Sequence, residues 1–195
     1  MEIRDKVVIR EKGESAAIPS KDLLATLRWR KAVDLDLWCF YRTKEGNDGL
    51  ISFGNKGDIN ISPFIQLDKD SGVGDQGGAN EENIRFKSLD VLEHAYICAN
   101  IYGKENSNFA SYDGAVVVSS GDKSFEVPLS SRDKGNWCVV AHFDNSSPIT
   151  PKLENVNVTL RDRPTTPDLV SGNFKQHEPL TSKSGSSFLG RIFGK

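Results

Sequence analysis

The sequence lacks long apolar runs, paired cysteines and net charge. No stretch approaches the roughly 20 apolar residues that span a bilayer, so no transmembrane helix is expected. Met1 to Lys6 is charged and no apolar h-region follows it, which predicts a chain that is not secreted and works in the cytoplasm. Cys39, Cys98 and Cys138 stand singly in apolar runs, without a Cys-x-x-Cys pair. They are expected as reduced core thiols, because free cysteine packs as a small hydrophobe. The sequons at Asn145 and Asn157 carry weight only in a secreted chain. Lys and Arg total 25 against 27 Asp and Glu, and a net charge of −2 gives no field that draws the whole molecule onto nucleic acid. No nucleic-acid partner is expected.

Long helical patterns are also missing. What recurs is short runs of Val, Ile, Phe, Tyr and Trp between clusters of Gly, Asn, Asp and Ser, the pattern of strands joined by turns. Strands are expected at Lys6 to Arg10, Leu23 to Arg30, Asp34 to Arg42, Asp58 to Ile65, Asn83 to Phe86 and Ala95 to Tyr102. Further strands are expected at Ala115 to Ser119, Ser124 to Leu129, Trp137 to Phe143 and Val156 to Leu160. The fold class is therefore all-β, a two-sheet antiparallel β-sandwich with a flexible C-terminal tail. In the run from Leu35 to Tyr41 one face is apolar, and Trp38 and Phe40 load the other, which predicts a strand covered on both sides. Gly46 to Gly49 and Ser120 to Lys123 hold residues that tolerate positive φ and can each close a hairpin.

From about Arg163 the composition turns to Pro, Thr, Ser, Gly and Lys. The expected division is a sandwich domain over residues 1–162, a Pro- and Ser-rich linker over 163–187 and a short hydrophobic peptide over 188–195.

The segment from Asp68 to Asn83 concentrates five carboxylates (Asp68, Asp70, Asp75, Glu81 and Glu82) with Asn80 and four glycines. Calcium takes six to eight hard oxygens at about 2.3–2.6 Å, and glycines let a loop curl tightly enough to supply them. Carboxylates crowded this closely repel one another unless a cation sits among them. The spacing excludes an EF-hand, because Asp70 to Glu82 spans thirteen residues, its interior is too rich in glycine and its flanks read as strands. A second acidic feature, Asp34-Leu35-Asp36, opens the strand that leads to Trp38. Residues i and i+2 of a strand point to one side, so both carboxylates can face one ion.

These segments, Val33 to Phe40, Asp68 to Asp75 and Asn80 to Ile84, together resemble the TerD family of tellurium-resistance and stress proteins. The similarity runs from about Leu27 to Phe143 and includes Gly135-Asn136-Trp137, which is similar to the family's turn before a late strand. The resemblance implies a calcium-binding β-sandwich of bacterial cytoplasm, with ligands among Asp34, Asp36, Asp68, Asp70, Asp75, Asn80, Glu81 and Glu82. Against the family pattern, Gln76 to Ala79 are inserted and Asn80-Glu81 stands where two aspartates are usual, so the chain reads as a divergent member.

The function expected is a non-enzymatic, calcium-binding scaffold or sensor that meets protein partners of a stress-response complex and takes no small-molecule substrate. One alternative is a calcium-dependent membrane-binding module, in which Arg28-Trp29-Arg30-Lys31 gives a peripheral foothold. A metal-dependent hydrolase is a weaker alternative. His94 and His142 lie in strand-like runs, His177 lies in the tail, and no Ser, Cys or metal-ligand motif accompanies them.

Overall fold

The computed structural model describes residues 5–68, 79–103 and 108–174. Among them the chain forms β1 (Asp5–Val8), β2 (Ser15–Ala17), β3 (Leu23–Trp29), β4 (Leu35–Thr43), β5 (Asp48–Ile51) and β6 (Ile65–Leu67). There follow β7 (Asn80–Phe86), β8 (Leu92–Ile101), a 3-10 turn at Phe109–Tyr112, β9 (Ala115–Ser120), β10 (Lys123–Pro128), β11 (Trp137–Asp144), β12 (Lys152–Leu160) and one short α-helix, α1 (Thr166–Ser171). The strands build two six-stranded sheets, ordered β1-β10-β9-β3-β7-β6 (sheet A) and β2-β12-β11-β8-β4-β5 (sheet B). The all-β sandwich is as expected, with one departure: β1 runs parallel to β10. No hairpin joins two strands so distant in sequence, so either direction is open, and the pairing is supported by the Lys6–Glu126 ion pair at 2.7 Å.

Alternation fills the space between the sheets. Leu23, Ala25, Leu27, Val116, Val118, Ile84 and Phe86 face inward from sheet A to meet Leu35, Leu37, Cys39, Ile97 and Ala99 of sheet B. Phe86 and Phe143 meet edge to face at 5.4 Å across this layer. Each large apolar side chain buried here contributes about 1.5–3 kcal/mol relative to exposure.

β4 is covered on its second face too. Trp38 and Phe40 join Tyr96, Cys98, Trp137, Val158 and Leu160 in a separate cluster outside sheet B, closed by Leu169, Val170 and Phe174. α1 brings the lid. Thr165 caps it by accepting from the Asp168 backbone N–H, Gly172 ends it in the left-handed region, and the Arg163 guanidinium lies 6.0 Å from the Trp38 ring. Residues 163–174, expected as the start of a linker, thus pack on the domain. Pro164 and Pro167 hid this helix from a reading based on composition, although proline is compatible with a first helical turn.

The expected strand Asp58 to Ile65 is mostly turn. The Asn60 N–H turns back to the Asp58 carboxylate at 2.7 Å and Phe64 N to the Ile61 carbonyl at 2.7 Å, while Pro63 has no N–H to give, so pairing starts only at Ile65. β2 and β5 were not expected, being edge strands of three and four residues. The other two edges, β1 and β6, have four and three residues. Both sequon asparagines are buried and donate from Nδ2 to backbone carbonyls, Asn145 to Leu89 and Leu92 and Asn157 to Pro128.

Candidate functional site

The termini of four strands meet at one end of the sandwich. The end of β3 pairs with the start of β7 (Trp29 opposite Asn80), and β7 holds the end of β6 through Asp68 N–H donating to the Asn83 carbonyl at 2.8 Å. The start of β4 joins them because the Trp29 indole N–H donates to the Val33 carbonyl at 2.8 Å, which folds the short β3–β4 connection onto itself. The acidic segments of the sequence open or close these strands.

Glu82 ties the two sheets at this end. β7 starts at Asn80, three residues earlier than expected, so strand alternation governs the whole acidic run. Glu82 shares the inward face with Ile84 and Phe86 and is only 8% exposed. β5 pairs with β4 no further than Cys39, which leaves the backbone N–H of Leu37 beyond the end of β5. That N–H donates to Glu82 Oε2 at 2.6 Å. A carboxylate is seldom kept inside without such a charge-assisted bond.

Asp34 and Asp36 alternate with the fully buried Leu35 and Leu37, so they share the side of β4 that carries Trp38, facing away from the layer between the sheets. The expected same-side geometry is present. The Asp34 carbonyl accepts from Tyr102 N at 3.0 Å, and Asp36 stands opposite Asn100 of β8. Asn100 Nδ2 donates to the Asn136 carbonyl at 2.9 Å, which brings the Gly135-Asn136-Trp137 turn beside the β4 acids.

Glu81, between the inward-facing Asn80 and Glu82, points to the solvent face of sheet A, where its carboxylate lies 3.5 Å from Arg28. Asp68 lies 3.7 Å from Arg85. These loose, exposed pairs contribute at most about 1 kcal/mol each, yet they place positive charge beside two proposed ligands. Asp70 and Asp75 lie outside the described residues. Among the described residues no three His, Cys, Asp or Glu side chains are gathered closely enough to hold an ion. The donors present at this end are hard oxygens of the kind calcium takes: a buried carboxylate on β7, an aspartate pair on β4 and further oxygens at the end of β6 and the start of β7.

The sequence reading passed over Arg28 and Arg85 as neighbours of the acids. Extending the alternation of Asn83 to Lys87 back to Glu81 puts Glu81 and Arg85 on one face, which is the signal that finds them. The basic patch is dissected by the fold. Trp29 is buried at 3% exposure, Arg28 faces Glu81, and Arg30 lies 3.8 Å from Asp113. An open groove of about 870 Å³ runs along this outer face of sheet A, lined by Arg10, Arg28 and Arg30 but also by Glu81, Asp113 and Glu126. All three thiols are buried and free, and burial raises their pKa values, that of Cys138 to about 12, so none is poised as a nucleophile.

No family model matches the sequence, and no curated protein matches it. By structure, the chain is similar to a crystal structure of a homologue of telluride resistance protein (TerD) from Streptomyces coelicolor. That likeness has a TM-score of 0.54 at 15% identity and covers 82% of this chain and 99% of the other. At this identity the likeness is one of fold, and the fold is the one the motifs implied. No helix among the described residues is long and apolar enough to cross a membrane.

Proposed function

We propose, from the premise of a TerD-like sandwich, that this chain is a non-catalytic calcium-binding module serving as scaffold or sensor in a cytoplasmic stress-response or tellurite-resistance system. The observation that carries the reading is the Glu82 carboxylate, held inside the end of the sandwich by the Leu37 N–H and surrounded by the termini that bear Asp34, Asp36, Asp68 and Asn80. Asp68, Asn80 and Glu82 would hold the ion, with Asp34, Asp36, Glu81, Asp70 and Asp75 as further oxygen donors. Bound calcium supplies the positive charge that crowded carboxylates require and links strands of both sheets through one centre. A partner protein then meets a surface whose shape depends on the ion.

The experiment is calcium titration of the chelator-stripped protein by calorimetry, alongside melting curves with and without the ion. Saturating calcium should raise the melting temperature, by linkage equivalent to about 2.7 kcal/mol at one hundred times the dissociation constant. Asp36→Asn should reduce the gain. No binding heat and no stabilisation at millimolar calcium sink the proposal.

The membrane alternative draws less support, since Trp29 of the expected foothold is in the core and Arg28 and Arg30 face carboxylates. Vesicle pelleting with calcium distinguishes the two.

A further inference from the structure

Away from the acidic end, the outer face of sheet B carries a polar cluster that calcium binding leaves unused. His94 on β8 and His142 on β11 approach each other with Nδ1 of the first 3.1 Å from Nε2 of the second. His142 is 8% exposed, and its ring stacks flat on Tyr96, 4.1 Å between centroids at an interplanar angle of 2°. Two carboxylates flank the pair. Glu154 of β12, opposite His142 in the register, has Oε2 3.5 Å from His142 Nδ1, and Asp144 of β11, opposite His94, has Oδ1 3.8 Å from His94 Nδ1.

These neighbours choose the tautomers. A carboxylate beside His142 Nδ1 favours a proton on that nitrogen, which leaves Nε2 as an acceptor; Asp144 likewise favours a proton on His94 Nδ1. The chain therefore runs from His94 Nδ1–H to His142 Nε2, and from His142 Nδ1–H to Glu154. A proton added at His142 Nε2 makes two N–H groups face each other with no acceptor between them.

We propose that His94 and His142 form an acid-released latch, in which proton uptake at His142 Nε2 parts the two rings and opens the aromatic cluster outside sheet B. Other charges face the latch from every neighbouring strand. Arg42 of β4 stands opposite His94 and is fixed by donating two hydrogen bonds to the Asp48 carboxylate of β5, Lys152 of β12 stands opposite Asp144, and Glu93 adjoins His94 in the chain. Tyr96 beneath the rings is kept protonated by burial, and the Ser146 hydroxyl engages Asp144 at 2.6 Å. Burial, and then the neighbouring His94, lowers the pKa of His142 from 6.5 to about 4, which agrees with an acceptor nitrogen that resists the second proton. Trp38 and Trp137 lie in the same apolar cluster as Tyr96, so water entering there reaches an indole.

The test is acrylamide quenching of tryptophan emission as pH falls from 6.5 towards 4, with calcium held fixed and far-UV circular dichroism monitored so that only the folded range is read. Wild-type protein should show quenching that grows with the fraction protonated at His142 Nε2, about tenfold per pH unit until that group is half titrated. In His142→Gln the amide oxygen accepts from His94 and takes no proton, so the response should be flat. In His94→Gln the amide oxygen can accept from a protonated His142, and the response should again be flat. Quenching in wild type that does not change, or that changes identically in both variants, overturns the latch. Should both variants fail to fold, imidazole NMR of the wild type decides: loss of the His94–His142 contact as His142 becomes charged supports the proposal, and its persistence overturns it.

Discussion

The backbone N–H of Leu37, on a strand of one sheet, donates to Oε2 of Glu82, on a strand of the other, at 2.6 Å. This bond crosses the sandwich where β4 has run past the end of β5, so it stands in for a rung of sheet on that edge. Glu82→Ala leaves a buried N–H without an acceptor and a space where the side chain was. It should cost about 2–4 kcal/mol in urea unfolding. Glu82→Gln keeps a weaker acceptor and should cost less, while still lowering calcium affinity. Equal losses in the two variants tell against the bond.

Arg85 lies 3.7 Å from Asp68 and Arg28 lies 3.5 Å from Glu81. A guanidinium beside a metal-binding carboxylate competes with the metal for it. Arg85→Ala should therefore tighten calcium binding about two- to fivefold at low salt, the equivalent of about 0.5–1 kcal/mol, and the gain should fade as salt screens it. Calorimetry at two ionic strengths measures both effects.

Leu169 is 1% exposed and closes α1 onto Trp38 and Phe40. Leu169→Ala should destabilise the domain by about 2–4 kcal/mol, as large-to-small changes in packed sites do. Truncation after Asp162 should do at least as much. A truncated chain that unfolds like the full chain places the domain boundary back before the helix.

His142 also sets a pH limit. Its pKa lies near 4 in the folded chain against 6.5 for a free imidazole, so between those values the unfolded chain binds the extra proton. The stability it contributes is complete above pH 6.5 and is lost as pH falls towards 4, up to about 3 kcal/mol. Urea midpoints measured across that range should fall in the wild type more steeply than in His142→Gln.

Much of the fold is legible from the amino-acid order, because alternation survives wherever one face of a strand is buried. Trp38 and Phe40 opposite Leu35, Leu37 and Cys39 announced a doubly covered strand, and the covering helix was found on the second face. The helix itself was hidden because six residues, Thr166 to Ser171, leave no room for helical periodicity to show. Asp58 to Ile65 misled for the opposite reason: its apolar residues alternate, yet Pro63 and the Asp58 side-chain bond to Asn60 commit the backbone to turns. At the acidic end the residue types were legible and their directions were not. Asn80, Glu81 and Glu82 read as a loop that could wrap an ion together, but the strand begins at Asn80 and sends Glu81 to the face opposite Glu82. Nothing in a local window says where a ladder starts, because that depends on Trp29, fifty-one positions earlier, as the partner of Asn80.

Among the described residues the sandwich ends on all four sides in its shortest strands, β1, β6, β2 and β5, each of three or four residues. An unpaired strand edge is a template for a second chain, and its hazard grows with its length. Four or fewer unpaired residues give an incoming strand too little backbone to grip, so copies of this domain can be crowded together without zipping edge to edge into fibrils. The domain thereby offers neighbouring chains its faces and its loops, and withholds its backbone.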